Sequence, residues 1–415
     1  MKNSSLPIFA LLTGTAILLL GGGLYGTLLA IRAGVEGYSA GTVGLIMSAY
    51  YAGFVLGCLR CPRLIERVGH IRTYAALTAV ASAASLAHAI ILEPVAWAVL
   101  RGVAGFCFAG LYMVIESWLN EKVEKQARGR VFAVYMMVNL GALGIGQLLL
   151  LTTSSQDFVL FCAVSILISL AAVPLSLTRV AAPTIEGRDR LSLSRMWRIS
   201  PLGLITCFGV GLAQGVFWSL TPVFTLSSGL SENGTAIFMT TAVFGGLLLQ
   251  WPIGWLSDRY DRRGVLCAVV LVTAVLAAGV VATGARTHTE GLFVLAAFYG
   301  GTSFTIYSLA VAHANDHGSS TGIVALSASL LLVYAIGATA GPLFVGWLVD
   351  RTTTQSVYGF IAIIYLMVGA FAVWRMTRRP PIPVGDQGRF VPLARAGPYA
   401  AMIDPRGDED TLPRG

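Results

Sequence analysis

Two short polar turns set acid beside arginine between long apolar segments, a pairing that suits a switchable contact better than a bond-making reaction. The clearer one is Gly254-Trp-Leu-Ser-Asp258-Arg259-Tyr-Asp261-Arg262-Arg263. A degraded copy, Pro62-Arg63-Leu-Ile-Glu66-Arg67-Val-Gly69-His70-Ile-Arg72, lies 192 residues earlier, with acid on acid and arginine on arginine. A carboxylate at a helix end can accept from the exposed N–H groups of a neighbouring helix N terminus, where the dipole favours negative charge. The adjacent guanidinium can pair with an acid on another helix. Made and broken in turn, such contacts would latch one end of a bundle; the plainer alternative is a basic turn that only sets topology. Glu66, Arg67, Asp258, Arg259, Arg262 and Arg263 are the candidate gating residues.

Arg101 stands apart as the only formal charge well inside an apolar segment. At about 100° per residue, Arg101, Gly105, Phe108, Tyr112 and Glu116 share one arc of roughly 80° on a helix. Arg101 and Glu116 are about 22 Å apart along that axis, so they cannot pair. Glu116 is better placed as a partner for Arg67 or Arg60. A charge at the depth of Arg101 faces a wet cavity, where its bidentate fork could take a carboxylate or phosphate, or it braces carbonyls and snorkels to the interface.

The elements that position these residues must be membrane helices. Hydrophobic residues make up 56% of the 415-residue chain and charged residues 12%, against roughly 25% charged in soluble proteins. Twelve spans are predicted, at about 7–31, 39–59, 72–92, 95–119, 130–153, 157–178, 200–227, 233–256, 264–285, 289–311, 320–348 and 356–376. The first is too long for a signal-peptide core and is expected to be retained. The repeated turn implies two related halves in one orientation: residues 1–178 and 200–377, joined by a polar cytoplasmic linker over 179–199. Residues 378–415, which mix Pro, Gly and both charge signs and include Asp408-Glu409-Asp410, read as a disordered cytoplasmic tail.

Orientation follows from the basic residues. Of the 28 Lys and Arg, Arg32, Arg286 and Arg351 fall in outer loops and Arg101 within a span; the other 24 fall on the side that holds both termini. That asymmetry predicts both termini in the cytoplasm. The net charge of +8 therefore reflects topology and implies no nucleic-acid partner, although basic loops can touch anionic lipid heads. Cys58-Leu-Arg-Cys61 has redox or metal spacing, and His313-Ala-Asn-Asp316-His317 has the form of one histidine box. Neither has the further ligands that a metal shell needs in a chain of six cysteines and five histidines, so packing is the expected role and no metal or cofactor is predicted. His88 is expected to have a packing role on a peripheral helix.

These motifs resemble the major facilitator superfamily. Gly254-x-x-x-Asp258-Arg259-x-x-Arg262-Arg263 looks like its signature between helices 8 and 9, and the 62–72 copy occupies the helix 2–3 position. Arg101-x-x-x-Gly105 is similar to its helix 4 motif, and Gly337-x-x-x-Gly341-Pro342-x-x-x-Gly346 to a glycine-proline helix motif, here in helix 11. The run Glu116-Ser-Trp-Leu-Asn120, with Arg128-Gly-Arg130 and Ala312-His313-Ala-Asn315-Asp316, resembles the YcaD-like branch. Two features depart from the pattern: Pro62 and Glu66 stand where Gly and Asp are usual, and helix 5 lacks the Gly-Pro pair of many antiporters.

The resemblance implies an all-α membrane protein whose cavity is lined by helices 1, 4, 7 and 10. Those spans offer Tyr25 and Thr27; Arg101, Tyr112 and Met113; Gln214, Trp218 and Ser219; and Tyr299, Thr302, Ser303 and Tyr307. Gln214 and Trp218 are one turn apart, as are Ser303 and Tyr307, so each pair can share a face. The leading function is a secondary carrier of a small organic solute in a bacterial inner membrane, working by alternating access as a monomer. An anionic or zwitterionic solute is favoured, and a coupling proton is a further candidate partner. The alternatives are an exporter of drugs or metabolites with the same fold and a non-transporting sensor; a membrane enzyme lacks a nucleophile-base set, and no phosphate-binding loop supports ATP drive by this chain.

The charge asymmetry generates a first prediction. A reporter active only in the cytoplasm should work when fused after Arg130, Arg198 or Arg379 and fail after Arg286; activity after Arg286 would contradict the predicted span count.

Overall fold

The computed structural model describes residues 5–123, 127–177, 191–284, 289–318 and 323–393. Twelve helices among them are long and apolar enough to cross a membrane. We number them α1 Ser5–Val35, α2 Ala40–Val68, α3 His70–Ile90, α4 Pro94–Lys122, α5 Arg128–Leu148, α6 Val159–Ser176, α7 Pro201–Ser227, α8 Glu232–Arg259, α9 Arg262–Gly284, α10 Thr289–Asp316, α11 Ile323–Val349 and α12 Ser356–Met376. Helices suit hydrocarbon because each one satisfies its own backbone polar groups.

Local chemistry marks the helix ends. Ser39, Ser200 and Ser231 accept from the third residue on and cap α2, α7 and α8. Glu93 caps α4 at 2.7 Å from the Ala96 amide, with Pro94 at the first helical position. Between α2 and α3 the chain reverses on Gly69 alone, whose φ of 92° favours glycine. Helix α6 stops at Leu170 and resumes as a short turn over Ala172–Ser176. Pro174, which lacks an N–H, cannot donate to the carbonyl of residue 170.

Helix association depends on backbone-to-backbone contact, the means available where lipid is as apolar as the side chains. A Cβ on Gly53 of α2 would lie 1.9 Å from the Gly102 carbonyl oxygen of α4, and one on Gly105 would lie 1.9 Å from that of Tyr50. The second half repeats this: Gly245 of α8 meets Ala297 of α10, and Gly300 meets Ala242, again at 1.9 Å. Gly53 and Gly245 stand 192 residues apart, as do Tyr50 and Ala242, the offset of the two polar turns. Gly23 and Gly146 bring α1 onto α5, and Gly211 and Gly341 bring α7 onto α11 in the same way.

The end of the bundle remote from the polar turns is closed. There Asp350, after α11, accepts from the Ser39 hydroxyl at 2.9 Å and the Gly41 amide at 3.0 Å, both at the start of α2. Nearby, Glu232 at the start of α8 accepts from the Ser155 amide at 3.0 Å. Gly44 and Gly346 let α2 and α11 touch along this end, and Gly144 of α5 packs on Val243 and Phe244 of α8.

The segments outside the spans carry structure of their own, and for the tail this corrects the expected disorder. Within the linker, Leu193–Ile199 is helical, capped by Ser192, with Met196 buried and Leu193 and Trp197 exposed. The tail is ordered as far as Leu393: it turns at Val384–Asp386 and then packs against the second half, with Val391 and Leu393 buried. Its apolar side chains and free amides find partners there, which composition alone does not reveal. The linker arginines Arg179, Arg188 and Arg190, the loop residue Arg286 and the acidic run 408–410 lie outside the described residues.

Glycine packing yields the second prediction. Gly105→Val and Gly300→Val should each destabilise the protein by about 1–3 kcal/mol or more, since the carbonyl they meet belongs to a helix backbone. Gly359→Ala, where nothing lies within 4 Å, should leave thermal unfolding in detergent unchanged or slightly raised.

Candidate functional site

Between the halves lies an open cavity that holds about 1370 Å³ of non-atom space, open solvent included. Phe54, Phe108, Leu140, Leu143, Phe304 and Leu331 contribute apolar wall, while Tyr50, Asn139, Gln214, Gln250 and Tyr334 present polar groups. From Tyr25 and Arg101 it runs toward the end that carries the polar turns, where Leu393 of the tail forms part of its lining.

Arg101 is 5% exposed and lines this cavity. Its guanidinium carbon lies 4.5 Å from the Tyr50 ring centroid and 5.1 Å from that of Tyr25. Among the described residues no carboxylate pairs with it, and its Nε has no hydrogen-bond partner. An arginine in the middle of a membrane helix costs about 2.5–3.5 kcal/mol on insertion scales. Two cation–π contacts at about 0.5–2 kcal/mol each are of the size needed to offset that. Aromatic faces thus hold the charge, with no counter-ion among the described residues. Tyr25 is itself fixed from behind, its hydroxyl 3.0 Å from Nδ1 of His88, whose ring packs 5.5 Å from Trp97. His88 on α3, expected to pack on a peripheral helix, thus also positions a cavity residue.

In the second half, Gln214 donates to the Ser303 carbonyl at 2.9 Å and accepts from the Tyr334 hydroxyl at 3.0 Å. The Tyr334 ring meets Tyr307 edge-on at 5.3 Å, and Trp218 stacks on Phe304 at 5.6 Å.

Of the predicted binding residues, Tyr25, Arg101, Tyr112, Gln214, Trp218 and Tyr307 line the cavity, and so does Ser219. Tyr299 and Ser303 do not, a correction to the face expected of α10. Tyr299 packs between Phe217 and Tyr358, 5.5 Å from each, and the Ser303 hydroxyl bonds to that of Tyr365 on α12 at 2.8 Å. The cavity face of α10 carries Phe304 and Tyr307, three residues apart, so the one-turn pairing of Ser303 with Tyr307 picks a side chain turned toward α12. Thr27, Met113 and Thr302 are buried outside the lining. Reasoning from helices 1, 4, 7 and 10 missed the contributions of α2, α5, α8 and α11. Polar side chains inside spans, Asn139 and Gln250 above all, were the available signal.

At the basic end, the gating candidates divide. Glu66 and Arg67 are exposed and form no ion pair among the described residues. Glu116 is fully buried and accepts from the Tyr135 hydroxyl at 3.2 Å; its expected pairing with Arg67 or Arg60 is not made, both arginines being exposed. The second turn is engaged. Arg262, 1% exposed, donates to Asp316 at 2.5 Å and to Asp258 at 3.1 Å, while Arg259 lies over the Trp255 ring at 4.1 Å. Arg263 pairs with Asp261 at 3.0 Å and donates to the Arg379 carbonyl at 2.7 Å.

The tail completes this network. The Phe390 amide donates to Asp258 at 2.6 Å and the Gly388 amide to Asp316 at 3.1 Å, while Arg262 donates to the Gly388 carbonyl. Leu393 exchanges two bonds with the Ser308 hydroxyl, at 2.9 and 3.1 Å. Gly254 leaves room for the Phe390 ring. The acid-arginine turn thus holds the tail, whose Leu393 lines the cavity, where a contact with another helix N terminus was expected. Asp316, from the histidine-box run, serves this ion pair, and the described residues hold no group of three or more potential metal ligands. Cys58 and Cys61 are buried and form no disulfide among the described residues.

Comparison with known proteins places this arrangement. The family model for the Major Facilitator Superfamily matches residues 11–335. An uncharacterised MFS-type transporter of Enterobacter sp. (strain 638) is 29% identical over 392 residues, covering 92% of this chain and 99% of that protein. The uncharacterised MFS-type transporter YcaD of Escherichia coli O17:K52:H18 is 30% identical over 373 residues, covering 89% and 96%. Among solved structures, the nucleoside transporter NupG superposes with a TM-score of 0.74 at 13% identity, over 90% of this chain and 99% of that one. A bacterial homologue of the human lysosomal transporter Spinster, inward-facing and occupied, gives 0.72 at 15% identity, over 92% and 97%.

Proposed function

Because the chain belongs to the Major Facilitator Superfamily, we propose that it carries a small organic solute across the bacterial inner membrane by alternating access, with preference for anionic or zwitterionic solutes. The observation that carries the preference is Arg101: one guanidinium lines the cavity without a carboxylate partner among the described residues. A cation entering beside it meets repulsion, whereas a carboxylate or phosphate supplies the missing acceptor. Tyr25, Tyr112, Gln214, Trp218 and Tyr307 surround that solute with aromatic and neutral polar contacts. Taking the arginine-rich end as cytoplasmic, closure at Asp350 and Glu232 with a cavity running toward the polar turns corresponds to an inward-facing state.

Asp258, Arg262 and Asp316 act on this reading as a gate whose partner in the inward-facing state is the tail. The tail must leave before the halves can meet at that end, which frees Asp258 for another helix. Glu66, Arg67 and Glu116 serve the outward-facing state, which explains why the first two are unpaired here.

Transport in proteoliposomes tests the main proposal. Arg101→Lys should take up organic anions more slowly, because a point charge replaces a fork, and Arg101→Gln should lose most anion selectivity at matched protein levels. Equal anion uptake by wild type and Arg101→Gln, or a native preference for lipophilic cations, would sink it. For the gate, a single cysteine at Gln250, in a chain without its six native cysteines, should be labelled more slowly from the cytoplasmic side after truncation at Gly385, because loss of the tail lets the halves meet at that end. Asp258→Asn should act in the same direction by weakening a charge-assisted bond, about 1.5–3 kcal/mol. Unchanged labelling in both would leave the turn a topology signal.

A further inference from the structure

A second, smaller pocket opens at the basic end, beside the start of α7 and away from the cavity. It has a volume of about 260 Å³ counted to its open mouth, and Ser200, Arg263, His313, His317, Arg375 and Arg379 line it. No acid lines it. Arg263 is matched by Asp261, but Arg375 and Arg379 have no carboxylate partner among the described residues; Arg379 donates to the Ile199 carbonyl at 3.2 Å, and Arg375 lies 5.7 Å from the Trp374 ring. Two cationic forks are therefore uncompensated.

His313 is the independent sign of a ligand. It is 5% exposed and lines the pocket, yet its ring nitrogens make no hydrogen bond among the described residues. Its neighbour His317 bonds instead to the His313 carbonyl at 2.9 Å and meets its ring at 4.6 Å. Burial pushes the His317 imidazole below its usual pKa, so the positive charge of the pocket comes from its arginines. The N terminus of α7, a helix of 27 residues, adds its dipole at the same point.

The surroundings set the depth. Trp197 and Trp374 are both about half exposed, and the linker helix turns Leu193 and Trp197 outward while Arg195 and Arg198 flank them. Exposed tryptophans and a short amphipathic helix belong at the headgroup level of a bilayer. We propose that this pocket binds a phosphate group, as carried by the head of an anionic phospholipid or by a free phosphate ion. Two guanidiniums and a buried imidazole offer the convergent donors that phosphate oxygens require.

Thermal unfolding of the purified full chain in detergent tests this, with phosphatidylglycerol, phosphatidylcholine or inorganic phosphate added separately. Phosphatidylglycerol should raise the unfolding temperature in a dose-dependent way, phosphatidylcholine should not, and the Arg375→Gln/Arg379→Gln double variant should lose the rise. A rise with inorganic phosphate as well would assign the site to the phosphate group itself; a rise with phosphatidylglycerol alone would assign it to a lipid head. Native mass spectrometry supplies a second readout, in which wild type should retain more phosphatidylglycerol than His313→Ala. Equal shifts with phosphatidylcholine and phosphatidylglycerol, or a full shift and full lipid retention in the variants, would overturn the proposal.

Discussion

A guanidinium held inside a membrane-spanning bundle, with no carboxylate partner among the described residues, is the constraint from which the rest of the account follows. Arg101 persists there because Tyr50 and Tyr25 present their faces to it and because the cavity leaves one side open. Each supporting contact has a further support: His88 holds Tyr25, Trp97 packs on His88, and Gly105, one turn beyond Arg101, brings α4 against α2, which carries Tyr50. Loss of any of these would leave the charge intact but move its position, and a solute's acceptor atoms are read by position.

The two halves solve the same packing problem at matching places. Glycines at the 192-residue offset bring α2 onto α4 and α8 onto α10 at carbonyl contact, and on the proposed alternating access the joint between the halves is what opens. At one end the joint is tied by a few polar contacts centred on Asp350 and Glu232. At the other the second half carries an acid-arginine network that binds the tail. This asymmetry between otherwise parallel halves matches the degraded copy of the turn: Glu66 and Arg67 lie exposed while Asp258 and Arg262 have bound a segment of their own chain.

Much of this was legible in the residues. Composition requires helices, apolar runs mark all twelve, and the repeated turn reveals the halves, because membrane solvent imposes length and hydropathy on each element directly. Which side of a helix faces the cavity was less accessible. On α4 the stripe from Arg101 through Phe108 to Tyr112 is read correctly because a charge anchors it, whereas on α10 no such anchor exists, and Ser303 and Tyr299 turn toward α12 and α7. Helices α2, α5, α8 and α11 contribute to the lining through long side chains such as Tyr50 and Gln250, whose reach depends on tertiary packing. The ordered tail was the least legible element. Its composition is that of a loop, and its partners, Ser308, Asp316 and Asp258, are far away in sequence.

The central claim is that the joint between the halves opens at one end as it closes at the other. Spin labels at Arg63 and Arg259 span the basic end, and labels at Thr152 and Thr353 span the opposite end. Distance distributions for both pairs in lipid nanodiscs, with the tail present and removed, test the claim most directly. The account predicts that the basic-end distance shortens and the opposite-end distance lengthens together once the tail is removed. A single unchanged distance at both ends, or both ends widening together, would contradict it.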